Sequence, residues 1–214
     1  MALRSLEKRV IEPLISKHGR SFASLAGWSM PSSRNLWDIL KREQIEGHDA
    51  RHIRDIWVEF HADPAKSRVS TVLTAPQYLS FVESANRNPM FLLPVFRGPN
   101  AFENFILQVQ MPYVLFTSLE DYKLHGDAAQ PHLVVTHYPE LLESKGLVLV
   151  RGDILQPNAL DAVSAVSLMS NCHEFYSDRG QKGIFVHAFN HRQTEFDLKR
   201  MLDSMGHDTS QLNK

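Results

Sequence analysis

The chain has 214 residues, of which 43% are hydrophobic and 22% are charged, the balance of an ordinary globular protein with a net charge of −1. Its longest apolar runs, such as residues 147–150, are far shorter than the roughly 18 to 20 residues that cross a bilayer, so we expect no membrane insertion. A single cysteine, Cys172, excludes an intramolecular disulfide and a cysteine-cluster metal site.

The first segment of the chain is basic. Residues 1–35 hold six basic and two acidic side chains, a net +4, and the remainder, with 17 basic and 22 acidic side chains, carries −5. This serine-containing start resembles an organelle transit peptide, and we expect residues 1–33 to be that peptide and a linker. A solvated amphipathic helix is the alternative. The acidic remainder has no basic stripe, so we expect no nucleic-acid partner.

The first regular elements follow this linker. Helical spacing predicts one helix over residues 36–47 and a second one, capped by Asp49, that ends at Pro64. Residues 69–73 are predicted as a short strand or an extended approach to Thr74, which can cap a third helix.

The stretch 89–117 predicts the centre of a sheet. An apolar run at 91–96 ends in a turn with Gly98, and from residue 103 onward apolar and polar side chains alternate. This period of two predicts a half-buried strand. The apolar face consists of Phe105, Leu107 and Val109. The polar face consists of Asn104, Gln108 and Gln110.

The second half predicts further strands and helices. They are a short helix after Ser118, strands at 132–138 and 146–150, a helix from 158 to 176, a last strand at 184–189 and a final helix near 198–205. The sequence Arg151-Gly152-Asp153 predicts a turn. The later connections are too short for a full set of parallel crossovers. We therefore expect an α+β fold with a mixed, mainly antiparallel sheet of about five to six strands and helices packed on it.

We expect one domain over residues 34–205 and a polar tail over 206–214. No nucleophile elbow, phosphate-binding loop or dinucleotide fingerprint occurs. His48 and His52 are four residues apart, but residues 47–49 look like a break between helices and the Glu of a zinc-binding HExxH motif is absent, so we expect no metal site. Cys172 and His173 are neighbours on a predicted helix and do not face one another.

We therefore expect no enzyme, no catalytic residue, no cofactor and no small-molecule substrate. A small enzyme that uses acids near Glu103 as acid–base groups remains the alternative. The aromatic residues around the central strands, with Arg and Gln side chains beside them, suit a protein interface better. The predicted partner-binding residues are Arg97, Asn104, Gln108, Gln110, Phe116 and Tyr122.

Several blocks follow one another in a characteristic order: DIWVEFH at Asp55, NPMFLLPVFR at Asn88, LQVQMPYVLFTSLEDYKLHG at Leu107, PHLVVTHYPELLESKGLVLVRGD at Pro131 and NHRQTEFD at Asn190. Their order resembles the mitochondrial ATP synthase F1 complex assembly factor 1 family, the chaperones of the F1 β subunit. The helix from 158 to 176 departs from the family, because Ser164, Val166 and Ser167 stand where a glutamine-rich face is expected.

The resemblance implies a chaperone of the mitochondrial matrix that needs no nucleotide or metal. It would hold newly imported β subunit until the α subunit replaces it. A subunit taken from an alternating ring exposes apolar interfaces that aggregate unless a reversible partner covers them. A structural subunit of a larger complex is a further alternative.

Overall fold

The structure, a computed structural model, describes residues 35–98 and 101–207. The predicted leader and linker, 1–33, and all but the first two residues of the predicted tail, 206–214, lie outside this part of the chain.

Six strands form one sheet whose neighbouring strands are all antiparallel in the described residues. The strands are β1 (Arg68–Thr74), β2 (Met90–Gly98), β3 (Ala101–Gln110), β4 (Tyr113–Ser118), β5 (Leu133–Tyr138) and β6 (Leu147–Ile154). Their order is β1-β6-β5-β4-β3-β2, so β1 and β2 are the two edges. The predicted α+β fold is confirmed.

Seven α-helices accompany the sheet in the described residues. They are α1 (Ala50–His61), α2 (Ala75–Arg87), α3 (Leu119–His125), α4 (Leu142–Lys145), α5 (Ala162–Ser177), α6 (Gly183–His191) and α7 (Leu198–Ser204). Both predicted caps are confirmed. The Asp49 carboxylate accepts the backbone N–H of His52 at 2.8 Å, and Thr74 forms a capping box with Gln77.

Short 3₁₀ turns at Leu36–Asp38 and Arg42–Gln44 replace the single helix that we predicted over 36–47. The backbone of Lys41 is extended between them and interrupts the helical path. This break allows both Leu36 and Ile45 to reach the same buried cluster.

One face of the sheet packs against α2, α5 and α6 and forms the main core. Phe91 of β2 lies at its centre, with ring centroids 5.4 Å from Phe175 and 5.7 Å from Phe189. Fully burying one such ring contributes about 1.5–3 kcal/mol through the hydrophobic effect. The core therefore fixes α5 and α6 against the sheet.

On the opposite face, α1 covers β1 and β6 and forms a second buried cluster. Trp57 anchors this helix, because its Nε1 donates to the backbone carbonyl of Val150 at 3.0 Å and its ring meets Tyr138 edge to face at 5.7 Å. Helices therefore lie on both faces at the β1 side of the sheet.

Two local predictions are wrong. Residues 184–189, predicted as the last strand, belong to helix α6, where Phe185, Val186 and Phe189 form one buried helical face. A short apolar run does not by itself distinguish a strand from a buried helix. The predicted turn Arg151-Gly152-Asp153 is part of β6 and pairs with β1.

Gly152 lies in β6 where the side chains of neighbouring strands leave no room for a Cβ. A Cβ on this residue would lie 2.7 Å from Cγ2 of Val69 and 3.1 Å from Cδ1 of Leu133, both inside the core. The glycine in this stretch therefore serves close packing between strands, not chain reversal.

Candidate functional site

The structure separates the six residues predicted to bind a partner. Phe116 and Tyr122 lie in the main core. Asn104 and Gln108 are also buried, with 8% and 6% exposure, so the predicted exposure of the polar face is wrong for these two. Ile106, between them on the same face, is fully buried. Both faces of the central part of β3 are therefore covered.

Arg97 and Gln110 lie closer to solvent. Arg97 is near the end of β2, and Gln110 is the last residue of β3. The Arg97 guanidinium donates to Glu103 Oε2 and to the carbonyl of Ala159, both at 2.8 Å, and lies 3.5 Å from Asp161 Oδ2. It thereby ties β2 and β3 to the start of α5. Gln110 is exposed at the end of β3. Partner contact by any of the six residues stays a prediction.

Three acids at and near Glu103 each contact a basic or imidazole side chain. Glu103 is paired with Arg97, and Glu120 is paired with Lys123 at 2.7 Å. Asp121 lies 3.3 Å from His132 Nε2, whose other ring nitrogen accepts the backbone N–H of Ser118 at 3.4 Å. Burial lowers the pKa of His132. With both nitrogens engaged, this ring has no free position from which to take a proton.

A buried histidine pair, which the sequence did not predict, lies beneath α2 and α5. His137 Nδ1 donates to the carbonyl of Pro112 at 3.1 Å, so its Nε2 accepts from Nε2 of His173 at 2.9 Å. Burial lowers the pKa of His137 to about 4 and that of His173 well below its usual value. Phe81 stacks on His137 with centroids 5.1 Å apart. The pair is neutral and acts in packing.

Cys172 is buried in the main core. Burial raises the pKa of its thiol, so the sulfur is protonated at neutral pH. The ring centroids of His48 and His52 lie 4.4 Å apart with the ring planes tilted by 42°, and His48 precedes α1 whereas His52 lies within it. In the described part of the chain, no group of three His, Cys, Asp or Glu residues is arranged to hold a metal ion.

The feature best suited to binding a partner is a groove between the edge strand β1 and helix α5. It encloses about 550 Å³, within the range of ligand sites in proteins. One wall is the edge of β1 from Ser70 to Leu73, and the other is formed by α5 residues, among them Val166 and Met169. We call this feature the β1 groove.

The β1 groove continues onto an exposed apolar strip of α5. Val163 and Val166 are 81% and 46% exposed, although a helix normally buries its valines. Val166 is an apolar residue at a position where we expected a polar face of this helix, so the sequence contained a signal for this part of the groove. The sequence did not indicate that β1 is an edge strand, because this depends on a pairing between segments about 80 residues apart.

The end of the β1 groove near α2 is acidic. Glu174 and Asp178 line it, and no Lys or Arg is among its lining residues. The backbone N–H groups of Lys182 and Gly180 hold the pKa of Asp178 below its usual value. Lys182 also pairs with Glu174 at 2.5 Å, so two acids and one base leave a local charge of −1. No helix within residues 35–98 and 101–207 is both long and apolar enough to cross a membrane.

A family model and individual relatives point to the same protein family. Residues 16–202 match the family model described as ATP11 protein. The chain is 30% identical over 164 residues to the protein named ATP synthase mitochondrial F1 complex assembly factor 1 of Mus musculus, and equally so to its namesake of Homo sapiens. Each match covers 76% of this chain and 49% of the relative.

A fungal relative matches as well. The chain is 30% identical over 138 residues to the protein of Schizosaccharomyces pombe named Protein atp11, mitochondrial, which covers 60% of this chain and 48% of that protein. The chain therefore spans about half the length of the curated relatives that it matches.

Proposed function

Because the chain belongs to the ATP11 protein family, we propose that it assists assembly of the F1 part of mitochondrial ATP synthase by holding the unassembled β subunit. The family match carries this proposal, since relatives in mouse and human are named as F1 assembly factors. We place the protein in the mitochondrial matrix, where F1 is built, and assign residues 1–33 to import.

The described surface supports a binding role. Several large apolar side chains are exposed on separate helices, including Phe60 at 71% and Leu124 at 75%, together with the strip of Val163 and Val166. Of these, Val163 and Val166 adjoin each other at i and i+3 on α5, and contiguous exposed apolar surface of this kind marks contact sites for other proteins. An unassembled subunit presents its own apolar interfaces, and covering them reversibly prevents aggregation.

A non-catalytic role agrees with the chemistry of the described residues. The buried histidine pair, His137 and His173, is neutral and stacked against Phe81, and the nearby Cys172 thiol is protonated. His132 is engaged at both ring nitrogens. These features support the proposal of a non-catalytic holding role.

The holding role is tested by light scattering. Purified β subunit is diluted from denaturant alone or with increasing amounts of this protein, and we expect scattering to fall to baseline near equimolar protein. Addition of α subunit should then release the chain, since a weaker partner is displaced by a stronger one.

An unrelated aggregation-prone protein is the control, and its scattering should not change. Equal protection of the unrelated protein would indicate a general holding activity and contradict the proposed client. A fixed ratio of this chain in purified, mature ATP synthase would instead show a structural subunit.

A further inference from the structure

The outer edge of β1 can be identified from the hydrogen bonds at its two ends. Ile154 donates its backbone N–H to the carbonyl of Ser67 at 2.8 Å, and Ala75 donates to the carbonyl of Gly146 at 2.9 Å. In an antiparallel ladder, alternate residues point toward the same neighbour. The odd-numbered residues of β1 therefore pair with β6, and the even-numbered ones direct their backbone groups outward.

Local contacts occupy the ends of this outer edge but leave its centre open. The N–H of Arg68 donates to the carbonyl of Asp63 at 3.0 Å, and that of Thr74 donates to Gln77 Oε1 at 2.9 Å. Between them, within residues 35–98 and 101–207, the backbone N–H and C=O groups of Ser70 and Val72 have no hydrogen-bond partner.

The opposite edge of the sheet, β2, is protected. The Asn190 side chain bonds both the N–H and the carbonyl of Met90, and Pro94 has no N–H to offer. Val109 donates to the carbonyl of Pro89 at 2.7 Å, and this register directs Pro94 outward. Proline and side-chain caps are the usual means by which sheets prevent strand addition. The β2 edge is thus protected against strand addition, whereas the centre of the β1 edge is open.

The β1 groove lies beside the open centre of β1, with the apolar side chains of Val166 and Met169 opposite it. The Glu174 and Asp178 end lies toward Thr74, because Ser177 Oγ donates to the carbonyl of Gln77 at 3.1 Å. An occupant that fits both features is extended and apolar, with a basic residue at the acidic end.

We propose that the β1 groove binds an extended apolar segment of the unassembled β subunit, which adds to the edge of β1 as a further strand and places a basic side chain at the Glu174–Asp178 end. This inference rests on the proposed function and locates its binding site. Main-chain hydrogen bonds to Ser70 and Val72 supply affinity, and the apolar wall of α5 selects the side chains.

A second copy of this chain fits the groove less well. Its β1 would bring Arg68 as the basic residue, but Arg68 already lies 3.8 Å from Asp153 of its own β6. The net charge of −1 at the acidic end is therefore better matched by a client segment with a free lysine or arginine.

The test uses the full chain and two variants that block the groove in different ways. Ser170→Lys places a positive side chain in the groove from an exposed position of α5, and Ser167→Lys makes the same change one turn away, outside the lining. Val72→Pro removes an outward N–H without breaking the pairing with β6. Thermal unfolding of each variant establishes that it is folded.

Capture of purified β subunit is measured first. We expect Ser170→Lys to weaken capture by about tenfold or more because it changes the charge of the groove, and Val72→Pro to do the same because it removes an edge hydrogen bond. Ser167→Lys should leave capture unchanged. Equal capture by all folded variants would contradict the β1 groove as the binding site, while the proposed function would stand. Absence of capture by the unmodified chain overturns the proposed function.

A peptide arm tests the edge independently of the client. The probe is a short peptide of alternating valine and threonine with a lysine at one end, and its control carries N-methyl groups on the pairing amides. We expect binding of the first peptide alone, with slowed hydrogen exchange at the Ser70 and Val72 amides. Binding of both peptides alike, or no slowed exchange, contradicts strand addition. A concentration-dependent dimer that protects the same amides assigns the edge to a second copy and overturns the proposal.

Discussion

His137 Nε2 of β5 lies 2.9 Å from His173 Nε2 of α5, and both side chains are buried. The pair is held by the Pro112 carbonyl on one side and by the stacked ring of Phe81 on the other. Both rings are uncharged because protonation of either would place a charge in an apolar interior.

This pair predicts a pH dependence of stability. Burial lowers the pKa of His137 from 6.5 to about 4 in the folded state. The unfolded chain therefore binds more protons between these values, so stability is complete above the unfolded pKa and falls as the pH drops toward 4. For His137 alone the loss reaches about 3 kcal/mol. Urea unfolding at about pH 7 and about pH 5 samples about 2 kcal/mol of this loss, since the slope is about 1.4 kcal/mol per pH unit between the two pKa values.

His173→Gln should reduce this pH dependence, because the amide can still donate to His137 but does not titrate. The exposed His187 of α6 offers the matched control, and His187→Gln should keep the original slope. A His173→Gln variant with an unaltered slope would show that the pair does not set the acid sensitivity. His61, whose pKa burial lowers to about 4, contributes to the slope that remains.

The register of β3 is tested by truncating one inward and one outward side chain. Leu107 is fully buried opposite Phe91 and Phe116, and Leu107→Ala should cost about 2–5 kcal/mol of unfolding free energy. Gln110→Ala, at the exposed end of the strand, should change it by less than about 0.5 kcal/mol. Similar losses in both variants would mean that the two faces are assigned incorrectly.

The alternating pattern of β3 shows which of its buried residues can be predicted from the sequence. It predicted Phe105, Leu107 and Val109 as core residues, and all three are buried. It did not predict the burial of Gln108, because period two reports a half-buried strand, whereas here both faces are covered. Ile106, apolar on the supposedly polar face, was the available signal.

Other features depend on contacts between distant segments. Nothing local to Arg97 indicates that it will reach Asp161, 64 residues later in the chain. The β1 groove likewise requires the pairing of β1 with β6 and the packing of α5 beside it. Sequence patterns predict the caps at Asp49 and Thr74, since a cap is decided within a few residues.

Gly152 of β6 should tolerate substitution poorly. Gly152→Ala places a methyl group 2.7 Å from Cγ2 of Val69, and overpacking of this kind costs about 1–3 kcal/mol. Combining it with Val69→Ala should recover part of the loss, which a double-mutant cycle measures. Gly47→Ala, with no atom within 4 Å of the added methyl, is the control and should be near neutral. A neutral Gly152→Ala would contradict the close approach of β1 and β6.

Arg97 should act within the fold. Arg97→Ala removes contacts to Glu103, Ala159 and Asp161, and since the side chain is one-third exposed the loss of stability should be about 1 kcal/mol or less. Capture of the β subunit should match that of Arg54→Ala, a charge change at an exposed position of α1. Weaker capture with unchanged stability would instead support the partner contact predicted from the sequence.

We expect this chain to bind the β subunit before assembly and not after it. Purified chain is mixed separately with free β subunit and with the assembled F1 head, and each mixture is separated by size-exclusion chromatography. If the chain binds only free β subunit, it co-elutes with free β subunit and elutes alone in the presence of the assembled head. Equal co-elution with both, or with the assembled head alone, would contradict it.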